Sequence, residues 1–453
     1  MRINLKKTAA LFCAVAFLTL QTGCSELTKP PLPSLDSSAF RKPADGSFHA
    51  GHGRSSLTAG MAQKDITPPA GTPLNGYGRR KGRPSQGVHD PLRVRVLALQ
   101  NQSNLLVFAS CDLVAINEAL YEAVLERVSA EPGLDPSRLF LSATHTHSGS
   151  GGIGKRFLER IISGRYQKPV FQMTADRIAE AILEAVRDMK PASIGFGSAK
   201  LSGLIENRMI ETDPVDDELF LMKIQIRQGP QALFVNMAAH PTVLSAKNFL
   251  FSADFPGALQ KKIEGQFPGS LCVFTNGTAG DQRIRGFNGT QGFARAEAIG
   301  EHLAGIVIRT AENIPLDTEA DIATTQTCFR LPPVKIRYGY LRLPSLIGNR
   351  LIDRDVVCNA GRVNNTLFFS IPGEMTSGLG LEIKQEANKL HSKALIIGYT
   401  NGYIGYIIPE KHYRLKTYES GVTFFGPTLD SYFLSAAMAQ MHFLKGEEHE
   451  AAA

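Results

Sequence analysis

The chain has 453 residues, 43% of them hydrophobic and 20% charged, and a formal net charge of +7. That apolar content excludes a chain disordered throughout and suffices for one large domain or two modest ones. The basic excess is mild and scattered (Arg79, Arg80, Lys81, Arg83, Arg93, Arg95) rather than set in a stripe interleaved with aromatics. Nucleic acid is therefore not an expected partner, whereas an affinity for anionic surfaces is.

At the N-terminus, Arg2, Lys6 and Lys7 precede an apolar run from about Ala9 to Leu20, followed by Gln21-Thr22-Gly23-Cys24. The run is too short to span a bilayer comfortably, and basic residues before it with small ones after it read as an export signal. Gly23-Cys24 resembles a bacterial lipoprotein cleavage site, although Gln21 stands where such sites usually carry an aliphatic residue. The expectation is a signal peptide over 1–24, lipid on Cys24, and attachment to a cell-envelope membrane facing the periplasm or the exterior. Residues 25–56, rich in Pro, Ser, Lys and Gly, read as a flexible tether. The globular part is expected over 57–445, with a tail at 446–453.

Within it, strand-like and helical patterns alternate. Strands are expected at Leu105–Leu113, Arg138–Thr144, Ser193–Gly197, Leu219–Gln225, Leu233–Met237, Cys272–Asn276, Ile322–Arg330, Thr366–Ile371 and Ala394–Tyr399. Helices are expected at Asn117–Ala130, Phe171–Met189, Phe255–Phe267, Ala294–Arg309 and Met375–Leu390. This alternation predicts an α/β fold, a single layered domain with mixed sheets and flanking helices. Of the cysteines outside the leader, Cys111 and Cys272 lie in apolar runs and read as buried thiols, while Cys328 and Cys358 are candidates for pairing in an oxidising compartment.

Chemistry gathers where strand-like runs end, as α/β proteins commonly arrange it. Leu139 to Thr144 runs into His145-Thr146-His147-Ser148-Gly149, and period-two geometry places both imidazoles on one face. The glycine-rich stretch beyond lets backbone approach a ligand closely. His240 ends the run from Phe234, Asp254 follows it, Glu374 ends Leu367 to Gly373, and Tyr403 and Tyr406 follow Ala394 to Thr400. Two imidazoles, a carboxylate and a phenol from separate strand ends make an N/O set that suits zinc with an open position. Taken singly these residues have plainer readings: a surface His pair, a turn His before Pro241, a helix-capping Glu, tyrosines at a core edge.

A series of short motifs in one order resembles the neutral ceramidase family of zinc-dependent N-acylsphingosine amidohydrolases. It runs through Asp65-Ile66-Thr67-Pro68, Gly76-Tyr77-Gly78, Gly87-Val88-His89-Asp90, the stretch around His145 and His147, Asn207-Arg208 and His240-Pro241-Thr242. It continues with Ala279-Gly280-Asp281, Pro372-Gly373-Glu374-Met375-Thr376, Asn401 to Tyr406, Tyr413, Tyr418-Glu419 and Gly426-Pro427.

The resemblance implies a zinc held by His145, His240, Glu374 and Tyr406, with Tyr403 as the alternative phenol. It implies His147, Tyr406 and Tyr418 as catalytic groups, Arg208 and His89 on the substrate, and Asp254 orienting His240, while Arg283, which departs from the family, is expected near the metal to favour an anionic group on the substrate. It also implies a lipid or other small amide as substrate, hydrolysed by zinc-activated water. Two features depart from the family pattern. Gly280-Asp281-Gln282-Arg283 puts Arg283 where the family has a catalytic serine, and the chain stops where family members continue into an immunoglobulin-like domain. The first departure leaves two other readings open: a zinc hydrolase for a different amide or ester, and a tethered ligand-binding lipoprotein without turnover.

Overall fold

Alternation of apolar side chains along the strands sets the architecture. The computed structural model describes residues 40–41, 53–102, 104–338, 341–342, 345–352 and 354–446. The expected leader and Cys24 lie outside the described residues. In chain order the main elements are β1 (Ser55–Asp65), β2 (Arg93–Asn101), β3 (Asn104–Cys111), α1 (Glu118–Val128), β4 (Leu139–Ala143), α2 (Phe157–Ser163), α3 (Lys168–Arg187) and β5 (Lys190–Lys200). There follow β6 (Ile205–Asn207), β7 (Glu218–Ile226), β8 (Gln231–Met237), α4 (Asp254–Gln266), β9 (Leu271–Asn276), β10 (Gln282–Ile284) and α5 (Gly292–Glu312). The last third holds β11 (Ile322–Arg330), β12 (Asp355–Val363), β13 (Thr366–Ser370), β14 (Glu374–Met375), α6 (Ser377–Lys389), β15 (Lys393–Ile397), β16 (Tyr406–Ile407) and α7 (Leu429–Lys445).

The larger sheet has the order β9-β8-β7-β5-β1-β2-β3-β4, and a second sheet contains β11-β12-β13-β15. Both are mixed: β3–β4, β8–β9 and β13–β15 are parallel pairs among antiparallel neighbours. In β3, Leu105, Val107, Ala109 and Cys111 point to one apolar cluster, while Leu106 and Phe108 point to another. Period two makes a strand buried on both faces read as a continuous apolar run. Phe108, Phe140 and Phe234 from the first sheet and Phe368 from the second fill the space between the sheets, with ring centroids 4.9 to 5.4 Å from Phe108.

Each outer face is covered by helices. Helices α1 and α3 lie over β2 to β4, α4 and α5 over β7 to β9, and α6 and α7 over the second sheet. Their buried residues recur at helical spacing, as with Phe171, Ala175, Ile178, Ile182 and Ala185 in α3. The result is four layers, helix on sheet on sheet on helix, and the predicted α/β class with mixed sheets is what the chain forms. Phe40–Arg41, inside the stretch expected to be a tether, pairs with Thr327 and Gln326 at an edge of the second sheet. Among the described residues no helix is long and apolar enough to cross a membrane.

The four described cysteines outside the leader form no disulfide among the described residues. Cys328 stands opposite Val357 and Cys358 opposite Thr327 in the β11–β12 ladder. Neighbours one residue out of step point to opposite faces, so these two cannot bridge, and the pairing considered from sequence is corrected.

Candidate active site

The parallel pairs bring several strand ends to one edge of the layers. His145 follows β4, His240 follows β8, Glu374 follows β13, and Tyr399, Tyr403 and Tyr406 follow β15. The Tyr399–Tyr406 loop is stitched to β4, because Asn401 Oδ1 accepts from Leu141 N at 2.9 Å and Asn401 N donates to Leu141 O. Glu374 and Tyr406 are direct partners in the short parallel pair β14–β16. Residues 260 apart in sequence are thus fixed side by side through backbone.

His145 has a left-handed backbone, φ 69°, and its ring stacks on Tyr399, itself at φ 57°, with centroids 3.9 Å apart. Non-glycine residues held in this region are strained and persist only where their surroundings over-determine them. His145 Nδ1 is 2.6 Å from Val114 O, and His240 Nδ1 is 2.5 Å from Ala279 O. A carbonyl only accepts, so each Nδ1 carries the proton and each Nε2 turns a lone pair inward.

Glu374 Oε2 lies 2.9 Å from His240 Nε2 and 3.5 Å from His145 Nε2, yet this buried oxygen has no hydrogen-bond donor. His147 Nε2 is 3.2 Å from His145 Nε2. The ligand atoms of His145, His147 and His240 all lie within 4.8 Å of one another, a buried cluster able to hold a metal ion. Lone pairs facing one another with no proton between them repel; a cation among them removes the repulsion, so the donor set fits a metal. Burial, and then Arg208, push His240 down to about 3, which leaves it neutral.

Around this core, Arg208 Nη2 donates to Tyr406 OH at 2.7 Å and to Gly280 O at 3.0 Å, and its Nε is 3.3 Å from Glu419. Tyr406 OH is 3.3 Å from His240 Nε2, whereas Tyr403 OH donates to the other Glu374 oxygen. Tyr418 is 69% exposed and meets the Tyr406 ring edge-on at the rim. Tyr77 packs on His147 with centroids 4.7 Å apart. Two glycines are required by closeness. A Cβ at Gly76 (φ +104°) would lie 2.6 Å from His147 Cα, and one at Gly280 would lie 2.7 Å from Glu374 O.

The structure therefore brings together His145, His147, His240, Glu374, Tyr406, Arg208 and Tyr418. Three expected residues fall elsewhere. Gln282 takes the inward position in β10, donating to Ala238 O and Asp216 O, so Arg283 points outward to Glu206 on the surface. It is not among the side chains gathered at the cluster. Replacing Arg283 with Ala is expected to leave metal content unchanged and to shift stability by less than about 1 kcal/mol, read by thermal unfolding. Asp254 caps the loop after His240 by accepting from Leu244 N and Phe255 N, while Ala279 O orients His240, so the expected Asp254–His240 contact is also corrected. His89 pairs with Asp90 and stacks on Phe293, outside the cluster. Sequence reasoning gave no role to Tyr399, Tyr77 or Glu419. Only the strand ending at Tyr399 and the Gly76-Tyr77-Gly78 and Tyr418-Glu419 motifs pointed toward them.

Comparison with known proteins identifies the family and the fold. A family model described as neutral/alkaline non-lysosomal ceramidase, N-terminal, matches residues 57–288, and the chain belongs to that family. Neutral ceramidase of Mycobacterium tuberculosis is 22% identical over 82% of this chain and 74% of its own length. Neutral ceramidase 1 of Arabidopsis thaliana is 27% identical over 47% of this chain, a match spanning only 30% of the plant protein. The solved structure of neutral ceramidase from Pseudomonas aeruginosa superimposes with a TM-score of 0.76 at 19% identity, covering 88% of this chain and 76% of that one. A solved ceramidase complexed with C2 gives the same TM-score at 18% identity.

Proposed function

We propose that this protein is an exported, zinc-dependent amidohydrolase that cleaves the amide of a ceramide-like N-acyl lipid. The observation carrying this reading is the unpartnered Glu374 Oε2 facing two histidine lone pairs, beside a phenol held by a half-buried arginine. His145, His240, Glu374 and Tyr406 would hold the zinc. A zinc bound there supplies an activated water and a polarised carbonyl at neutral pH. Arg208 fixes Tyr406 by donating to its oxygen, which leaves the phenol's own proton for the oxygen that gains charge as the amide carbonyl is attacked. His147 has one nitrogen at the cluster and a buried Nδ1 without a partner, and it takes the proton that the attacking water loses and passes it to the departing amine. Water is the attacking group, since Arg283 replaces the family's serine and points to Glu206.

The test is hydrolysis of N-acyl sphingosine beside matched N-acyl amines and esters, with and without chelator. Amide cleavage lost on chelation and restored by zinc is the expected result. Turnover of esters alone would support the reading as a different hydrolase, which the missing serine favours, and no turnover of any kind would support a ligand-binding role. The proposed location rests on the Gly23-Cys24 site. Cys24→Ala is expected to move the protein from the detergent phase to the soluble exported fraction, and unchanged partitioning would remove the lipid anchor from the account.

A further inference from the structure

Helix α2 is an anomaly on the surface of an otherwise well-covered fold. Phe157 and Ile161, one turn apart, are 66% and 56% exposed, and neighbouring Ile162 is 47% exposed. Single exposed apolar residues are ordinary, but three on one seven-residue helix form a patch. The patch is ringed by cations. From residue 155 to 168 the chain carries Lys155, Arg156, Arg160, Arg165 and Lys168 against one acid, Glu159. Glu159 is turned back to accept from Arg156 N, and Arg156 pairs with Glu118. Arg160, Arg165 and Lys168 are exposed and make no ion pair among the described residues.

A second segment adds to this charge. Gly82 packs against Gly164 just past α2, where a Cβ would lie 2.7 Å from the partner's Cα, and Arg79, Lys81 and Arg83 in this neighbouring turn are exposed. Both segments lead directly to the active site. Tyr77, next to this turn, packs on His147, and Arg80 donates to His147 O at 2.5 Å. Gly152, five residues after His147, donates to Ser163 O in the last turn of α2. Lys155, Arg156 and Glu159 also border a cleft of about 510 Å³ that extends to Tyr403, the residue bonded to Glu374.

We propose that α2 and the Arg79–Arg83 turn are an interfacial docking face for an anionic lipid bilayer. Phe157, Ile161 and Ile162 enter the boundary between headgroups and chains while the surrounding cations meet lipid phosphates. The charge decides the partner. Clustered lysine and arginine around a small apolar wedge complement an anionic bilayer, whereas a protein interface core is depleted of charge and needs a larger buried area. The cleft beside α2 then opens at membrane level, which fits a lipid substrate drawn from the bilayer. Docking itself depends only on the patch and stands or falls apart from catalysis.

The chain has no tryptophan, so Phe157→Trp places a single reporter in the patch. The experiment uses the full exported chain carrying Cys24→Ala, so that no covalent lipid contributes, with vesicles of phosphatidylcholine alone or mixed with phosphatidylglycerol. Binding at least 10-fold tighter to the anionic vesicles, weakened by salt, with a blue shift in the fluorescence of the introduced indole, is expected. Phe157→Ser/Ile161→Ser and, separately, Arg160→Glu/Arg165→Glu should each weaken binding about 10-fold or more while metal content and the thermal midpoint stay unchanged. Both pairs are exposed, so neither should disturb folding. Equal binding by the parent and both variants, or no preference for anionic vesicles, would overturn the proposal. So would self-association of the parent in solution that the serine variant abolishes, because the face would then belong to a second copy.

Discussion

Replacing His240 with alanine is expected to strip the protein of its metal and abolish measurable amide hydrolysis. His240 Nε2 is the point on which Glu374 Oε2 at 2.9 Å, Arg208 Nη2 at 3.2 Å and Tyr406 OH at 3.3 Å converge. Losing even a supporting partner of a metal ligand costs about 10- to 100-fold in affinity, and losing a ligand from so small a set costs more. His145→Ala should behave alike, since its Nε2 faces the same carboxylate oxygen. Both imidazoles are buried, so an unfolding curve must accompany the metal measurement. Retention of near-wild-type metal by both folded variants would show that these histidines are not the ligands.

Tyr406→Phe should act on rate rather than on metal. The phenol accepts from Arg208 Nη2 at 2.7 Å, and the ring lies buried against the Tyr418 edge, so phenylalanine fits the same space. A phenol is a replaceable ligand beside two imidazoles and a carboxylate, and most of the metal should remain. Removing one preorganised donor from a developing oxyanion typically costs about 100-fold or more in kcat. The loss should fall on kcat with KM nearly unchanged, because the interaction strengthens only as charge develops. Tyr403→Phe, which removes only the bond to the outer Glu374 oxygen, should be milder. A Tyr406→Phe enzyme as fast as the parent would place the oxyanion elsewhere, and one that loses its metal as His240→Ala does would make the phenol an indispensable ligand.

Much of this site is legible in the sequence because strand ends are legible. Apolar runs that stop at His145, His240 and Glu374 say where each strand delivers its side chain, and a fold with parallel pairs delivers them to one edge. Side-chain direction inside a short strand is not legible in the same way. A one-residue step exchanges Gln282 for Arg283, and nothing in Gly280-Asp281-Gln282-Arg283 says which faces inward. The amide of Gln282 is chosen because two carbonyls and a backbone N–H must be satisfied there, while a guanidinium finds Glu206 at the surface.

Three long strands escaped the sequence reading for physical reasons of their own. β1 is rich in small residues because α3 lies hard against it; a Cβ at Gly60 would come within 1.9 Å of Ala185 O. β2 carries Arg95, a buried cation matched by Asp112 and Glu264, which on sequence alone reads as a surface charge. β12 carries Asn359 and Arg362, buried and bonded to backbone of β4 and α7. In each the polar or small residue answers a tertiary partner, which no local pattern encodes. Tyr399 is similar: the sequence marks the end of β15, but not the left-handed turn that lays the ring on His145.

The proposed chemistry turns on whether the buried histidines and Glu374 share one metal ion. The most direct measurement is metal stoichiometry by mass spectrometry on the purified wild-type protein, before and after dialysis against chelator and after return of zinc. One zinc per chain, removed by chelator, regained on return and absent from the His145→Ala and His240→Ala proteins, is the predicted result. Wild-type protein that holds no stoichiometric zinc and takes up none on incubation would contradict the account, whatever family the chain belongs to.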